Sequence, residues 1–351
     1  MNLIDAELVN PYSVDPRKEF PHVPEHQENW TEYHYFFAYD KDADIGMSLH
    51  IGRLVEDLSI WRGILYVFMP GDEVLVHKCV GRGEHARGFN AGPLAITCVE
   101  PMQLWTIDFD GAAHSTTGKS LCRDVLRDGV DEVIKLHIQF EAASPFFSLD
   151  PSRIDGLAAM GWAHDHHEQI HTIKGEIVRG GEAYRLCGMG IRDHSSGPRD
   201  TGKPFGGVFF NALFPSGKAV SFTMVKTKTY DGSYGYLFWG DGSPLEQIRV
   251  IESEPINDAA TPLGSVHPDV AEGSPRFRVV LGTSRGEQVM EVERRRSIAT
   301  TYVPPHHEVA GTDYARPEAA QQTKTVALVT WDGEVGTCQL DRYVRIKTLK
   351  R

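Results

Sequence analysis

The sequence predicts an all-β fold with two domains that follow one another along the chain, each an antiparallel β-barrel or sandwich. Two observations carry this prediction. Turn residues are abundant, with 34 Gly and 20 Pro, and they separate short runs in which apolar and polar residues alternate. Convincing helical periodicity is scarce by comparison. Short strands at regular intervals over a chain of this length are typical of sandwiches and barrels.

The clearest strand covers residues 133–141. Apolar side chains such as Ile134 and Phe140 alternate there with polar ones such as Lys135, as expected of a half-buried antiparallel strand. Residues 103–110 repeat the pattern. Hairpins are predicted at three turns, where glycine or a neighbouring small residue accepts a tight conformation: Gly180-Gly181, Pro215-Ser216-Gly217 and Asp332-Gly333.

Helices are predicted only for residues 150–160, with Pro151 in the first turn, and for residues 315–322. A strand ends near residue 142 and a stretch containing Pro and Ser follows it. The sequence therefore places an N-terminal domain at 1–155 and a C-terminal domain at 156–351.

Composition excludes several classes of protein. The 351 residues contain 36 Lys and Arg against 48 Asp and Glu, a net charge of −12, which argues against nucleic acid as a partner. No apolar run reaches the roughly 18 to 20 residues of a membrane span. The first residues are acidic and lack the pattern of a secretory signal. Five scattered cysteines without a CxxC pair indicate reduced thiols, so we expect a cytoplasmic protein.

The most informative segment is residues 164–200. It holds a histidine-rich run, the glycine hairpin and then Arg192-Asp193-His194-Ser195-Ser196-Gly197-Pro198-Arg199. This motif resembles the signature of two-domain, lipocalin-like proteins related to hydroxyneurosporene synthase (carotenoid 1,2-hydratase) and AttH. The aromatic segment 30–36, the strand 46–53 and Trp61-Arg62 resemble the first domain of the same group.

The resemblance covers residues 25–245. It implies two calyx-like domains, apolar ligands of polycyclic or isoprenoid type, and either water-adding or cofactor-free cyclising activity. Ser196 stands where relatives usually have Trp, which implies a larger pocket or a different chemistry.

The residues of the motif suggest an acid–base mechanism. On an extended strand Arg192 and His194 face one way and Asp193 the other. We expect Asp193 to point into an apolar barrel. Burial there would raise the pKa of its carboxyl group and make it a proton donor near neutral pH. His194 would relay the proton, and Glu32 or Glu168 would supply a second carboxylate.

Substrate contacts are predicted from the motif and from aromatic side chains. Arg192 and Arg199 would orient an oxygenated group of the substrate. Aromatic faces would stabilise a developing cation, and the candidates are Trp30, Tyr35, Trp61, Trp105, Trp162 and Trp239. Two structural alternatives stay open: Arg192, Asp193 and Arg199 can form an ion-paired knot, and the aromatic run from Tyr33 to Tyr39 can be ordinary core.

A metal site is the alternative interpretation of the histidine run. His164 and His166 share one strand face with Glu168, a plausible ligand set, and His306-His307-Glu308 could complete it. Sixteen histidines in the chain make chance clusters common, so the sequence predicts no metal and no cofactor.

The leading hypothesis is therefore a cofactor-independent hydratase, dehydratase, double-bond isomerase or cyclase. Its partner would be a hydrophobic isoprenoid, steroid-like or polyketide-like small molecule, and a homodimer is compatible with the sequence. The alternatives are a non-catalytic lipid-binding protein and metal-assisted hydrolysis at the histidine run.

Overall fold

The computed structural model describes residues 15–25, 27–127, 129–149, 165–198, 206–226, 231–255, 276–303 and 307–349. The strands are β1 (Trp30–Asp40), β2 (Ile45–Leu54), β3 (Asp57–Phe68), β4 (Glu73–Gly81), β5 (Gly83–His85), β6 (Gly88–Ala91), β7 (Leu94–Glu100), β8 (Leu104–Thr117), β9 (Asp131–Ala142), β10 (Phe147–Leu149), β11 (Asp165–Arg179), β12 (Glu182–Pro198), β13 (Gly206–Leu213), β14 (Ala219–Lys226), β15 (Asp231–Phe238), β16 (Glu246–Gln247), β17 (Arg249–Pro255), β18 (Arg276–Thr283), β19 (Gly286–Val303), β20 (His307–Ala310), β21 (Ala320–Trp331) and β22 (Glu334–Arg345). An α-helix covers Gly118–Arg123, and 3-10 helices cover Pro16–Glu19 and Ile346–Thr348.

The chain divides into two compact units. Among described residues, the first unit contains 15–116 and 129–198, and the second contains 117–127 and 206–349. Each is built on its own antiparallel sheet, so the predicted all-β fold class is confirmed.

The first unit is a closed barrel. Strands β11, β12, β1, β2, β3, β4, β8 and β9 follow one another in that order, and β9 pairs with both β8 and β11. The ring leaves none of these eight strands as a free edge, which protects a long sheet from pairing with other chains. Strands β7, β6 and β5 continue from β8, and β10 adds to β11.

The first barrel is filled by apolar side chains from alternating strand positions. In β9, Ile134, Leu136, Ile138 and Phe140 are buried and Lys135 is exposed, as the sequence predicted. These residues pack in one core with Phe36, Leu49, Trp61 and Trp105.

The second unit is a ten-stranded sheet in the order β16-β15-β14-β13-β22-β21-β19-β18-β17, with β20 paired to β19. Its core contains Phe210 and Phe222, whose rings stack at 4.6 Å, together with Trp331.

The domain boundary predicted between residues 155 and 156 does not match the compact units. Strands β11 and β12 lie after that boundary, yet β12 pairs with β1 from Trp30↔Pro198 to Tyr39↔Met189. Closure of the first barrel requires both strands, and this pairing distant in sequence outweighs the local stop near residue 142. Residues 117–127 also belong to the second unit.

The three predicted hairpins join β11 to β12, β13 to β14 and β21 to β22. Gly181 and Gly217 have φ of 86°, a conformation that favours glycine. The helix predicted at 315–322 is wrong, because β21 begins at Ala320 and pairs with both β19 and β22. The helix predicted at 150–160 lies outside the described residues.

Candidate functional site

The residues of the predicted site divide between the two faces of one sheet. Because side chains alternate along a strand, Arg192 and His194 of β12 face the barrel interior, where both are fully buried. Asp193 faces the other way, and 19% of its side chain is exposed. The expectation that Asp193 points into the apolar barrel is therefore wrong.

Asp193 belongs to a cluster on the outer face of the barrel wall, which we call the outer cluster: Phe147, His166, Glu168, Asp193 and Tyr35. Strand register assembles it, because Phe147 pairs with Glu168, Glu168 with Asp193, and Asp193 with Tyr35. A single row of side chains thus crosses β10, β11, β12 and β1.

An imidazole lies between two carboxylates in the outer cluster. His166 Nε2 is 2.7 Å from Glu168 Oε1, and His166 Nδ1 is 3.6 Å from Asp193 Oδ1. His166 and Glu168 are almost completely buried, and Asp193 is the most exposed of the three. The group can therefore hold and pass a proton while one carboxylate stays accessible.

Aromatic side chains border this group. Tyr35 and Phe147 occupy the same register row as Asp193 and are buried. Tyr33 lies two residues from Tyr35 on the same face and stacks on His50 at 4.6 Å between ring centroids. The outer cluster thus combines acid–base groups with neighbouring aromatic rings.

A second cluster lies on the inner face, and we call it the inner cluster: His22, Glu32, His34, His167 and His194. His167 pairs with His194 and His194 with His34, so three imidazoles share one row. The His34 and His194 rings stack at 3.9 Å, and His194 Nε2 lies 2.9 Å from Glu32 Oε1.

Three histidines of the inner cluster are neutral at physiological pH. Burial lowers the pKa of His34, His167 and His194 well below 6.5. Burial also lowers the pKa of His171, farther along β11, to about 3. A neutral imidazole keeps a nitrogen lone pair for a proton or a metal ion.

Buried ion pairs surround the inner cluster. Arg53 Nε donates to Glu32 Oε2 at 2.9 Å. Arg192 Nη2 donates to Glu19 Oε1 at 2.5 Å, and both side chains are fully buried. Since Arg192 pairs with Glu19 and points away from Asp193, the predicted knot is not formed between these two neighbours.

The described tryptophans that were predicted to contact the substrate do not belong to the outer cluster. Trp61 stacks on Phe89 at 3.7 Å, and Trp105 donates its indole N–H to Glu19 at 3.1 Å. Trp30 is buried on the face of β1 that carries Glu32. Trp239 lies in the second unit and donates to Glu246. Trp162, Arg199 and His164 lie outside the described residues.

Sequence reasoning missed Glu19, His22, His34, Arg53 and His167. A signal existed for one of them, because the spacing Glu32-x-His34 on one strand places His34 on the same face as Glu32, itself a predicted site residue. The others depend on pairing between distant segments, which a single sequence does not reveal.

The closed barrel of the first unit has a lipocalin-like fold. Both the outer and the inner cluster lie on the wall of this barrel. The chain belongs to the family described as a domain of unknown function (DUF7064), whose model matches residues 15–267. A comparison with curated proteins finds no match.

Solved structures share the fold at low sequence identity. The AttH-like protein NE1406 of Nitrosomonas europaea has a TM-score of 0.59 at 12% identity, covering 91% of this chain and 94% of that one. CghA has a TM-score of 0.52 at 10% identity, covering 96% of each chain. CghA with Sch210972 gives 0.53 at 10% identity, covering 94% and 95%. The predicted resemblance to the AttH group is thus confirmed as a likeness of fold.

Within the described part of the chain, no helix is both long and apolar enough to cross a membrane.

Proposed function

We propose that the outer cluster is the active site of an enzyme that transfers protons to and from carbon in a hydrophobic small molecule. The reaction would add or remove water, or would shift or cyclise a double bond. The substrate class is isoprenoid, steroid-like or polyketide-like. The observation that carries the proposal is the placement of His166 between Glu168 and Asp193.

Each residue of the group has a distinct role. Asp193 in its acid form donates a proton to an alkene carbon, because it is the most accessible of the three. The resulting cation lies against the Tyr35 and Phe147 rings, whose faces attract positive charge. In hydration, water forms the new C–O bond and releases a proton, which returns to Asp193 through His166. Glu168 fixes the ring orientation of His166.

The fold supports a small-molecule ligand. CghA, which shares the fold at 10% identity, has been crystallised with Sch210972. That ligand is a property of CghA, and for the present chain the class of substrate is inferred from the aromatic border of the outer cluster.

Isotope exchange tests this proposal without knowledge of the substrate. The protein is incubated in D₂O with pools of unsaturated isoprenoids, steroids and polyketides, and deuterium at carbon is read by mass spectrometry. We expect incorporation with the natural protein and a loss of about 100-fold or more in His166→Gln.

Asp165→Asn is the matched control, because Asp165 lies on the same strand as His166 and its carboxylate pairs with Lys18 at 2.7 Å. It should exchange at the natural rate. Tight retention of an apolar compound without any exchange would contradict the enzyme and favour the lipid-binding protein.

A further inference from the structure

We propose that the inner cluster binds one divalent transition-metal ion of the zinc class through His22, Glu32 and His194, with His34 beside them. This site goes beyond the proposed function, because it lies on the opposite face of the sheet and uses none of the outer cluster. It also differs from the His164 and His166 set that the sequence suggested.

The ligand atoms already converge. One nitrogen from each of His22 and His194 and one oxygen of Glu32 lie within 4.8 Å of one another. His34 Nε2 lies 3.9 Å from Glu32 Oε1. Ligands around a tetrahedral zinc ion are separated by about 3.3 Å, given bonds of about 2.0–2.1 Å. Small side-chain rotations therefore suffice to close the site.

An unsatisfied side chain points to a missing ligand. His34 is fully buried, and among the described residues neither of its ring nitrogens has a hydrogen-bond partner. Buried polar atoms in folded proteins are usually paired, and an exception indicates a bound water, an ion or a functional role. His34 stacks on His194 and directs Nε2 towards Glu32, so an ion at the cluster can satisfy it.

The supporting contacts are those that a metal site needs. Arg53 Nε holds the second oxygen of Glu32 at 2.9 Å, which orients the first oxygen towards the histidines. His22 Nδ1 lies 2.9 Å from Ser196 Oγ, and His22 Nε2 lies 3.3 Å from the Lys18 carbonyl oxygen. When one nitrogen of His22 binds the ion, the other keeps its hydrogen bond, as metal-bound histidines do in general.

The donor set selects the class of ion. Neutral imidazoles and one carboxylate suit Zn²⁺, Co²⁺ and Fe²⁺, whereas Ca²⁺ and Mg²⁺ prefer all-oxygen sites and Cu⁺ prefers sulfur.

Cobalt titration tests the site in the full chain. Chelator-treated protein is titrated with Co²⁺, and the visible absorption of bound Co²⁺ gives the stoichiometry and affinity. We expect one ion per chain, displaced by Zn²⁺, with affinity reduced about tenfold or more in His22→Gln and His194→Gln. His171→Gln, a buried histidine of the same barrel outside the cluster, should bind as the natural protein does.

Two results would overturn the proposal. The first is folded natural protein that takes up no Co²⁺, which would make the inner cluster a hydrogen-bonded network only. The second is unchanged affinity in His22→Gln. This variant decides the question even if His194→Gln fails to fold, because His22 is only partly buried.

Discussion

Asp193 and His194 are neighbours in sequence and face opposite sides of the barrel wall. Asp193 joins His166 and Glu168 on the outer face, and His194 joins Glu32 and His34 on the inner face. The motif that looked like one acid–base site therefore contributes to two clusters. Their surroundings differ, since Asp193 is partly exposed and His194 is fully buried.

Four buried histidines should make the first barrel sensitive to mild acid. Unfolded histidines gain a proton below about pH 6.5, but His34, His167, His171 and His194 stay neutral in the fold because burial lowers each pKa. The free energy of unfolding is therefore undiminished by these histidines above pH 6.5. Below that pH it falls by about 1.4 kcal/mol per pH unit for each histidine.

Hydrogen exchange of β1 and β12 amides, measured on chelator-treated protein between pH 7.5 and 5.5, gives the opening free energy of this barrel. His171→Gln should reduce the slope by one histidine's contribution. An opening free energy that stays constant over this range would refute the expected acid sensitivity.

The ion pair between Glu19 and Arg192 should be the main interaction that holds the 3-10 helix Pro16–Glu19 on the first barrel. The Glu19 carboxylate also accepts from the Met102 amide and the Trp105 indole, each at 3.1 Å. Glu19→Ala would leave the Arg192 charge buried without its carboxylate. We expect a loss of about 3–5 kcal/mol in the free energy of unfolding, measured by urea denaturation.

An exposed pair provides the comparison. Lys135 and Asp110 form a salt bridge at 2.8 Å with most of both side chains exposed. Asp110→Ala should cost less than about 1 kcal/mol. Equal losses in Glu19→Ala and Asp110→Ala would show that the Glu19 pair is not structurally important.

Local patterns predicted most of the fold. Alternation in residues 133–141 gave β9 because period-two burial is a local property of a strand. Turns at Gly180-Gly181 and Asp332-Gly333 were predictable because positive φ favours particular residues. Residues 315–322 do not form the predicted helix, since pairing of β21 on both sides outweighs weak helical propensity.

The clusters were less predictable, because they depend on pairing over long separations. His34 meets His194 only because β1 pairs with β12, and Glu19 reaches Arg192 across 173 positions. Alternation correctly separated Asp193 from Arg192 and His194. The sequence did not show which of these two faces points into the barrel. Both faces of this wall are largely buried, so no polar pattern distinguishes the inner face from the outer one.

The most direct test of the account compares the neighbours Asp193 and Arg192 in the D₂O exchange assay. Asp193→Asn should lose about 100-fold or more of the deuterium incorporation while its melting temperature stays close to the natural value. Arg192→Lys should lower the melting temperature and keep incorporation within about tenfold, since Arg192 binds Glu19 on the other face. Abolished exchange in Arg192→Lys together with natural exchange in Asp193→Asn would contradict the assignment of the outer cluster.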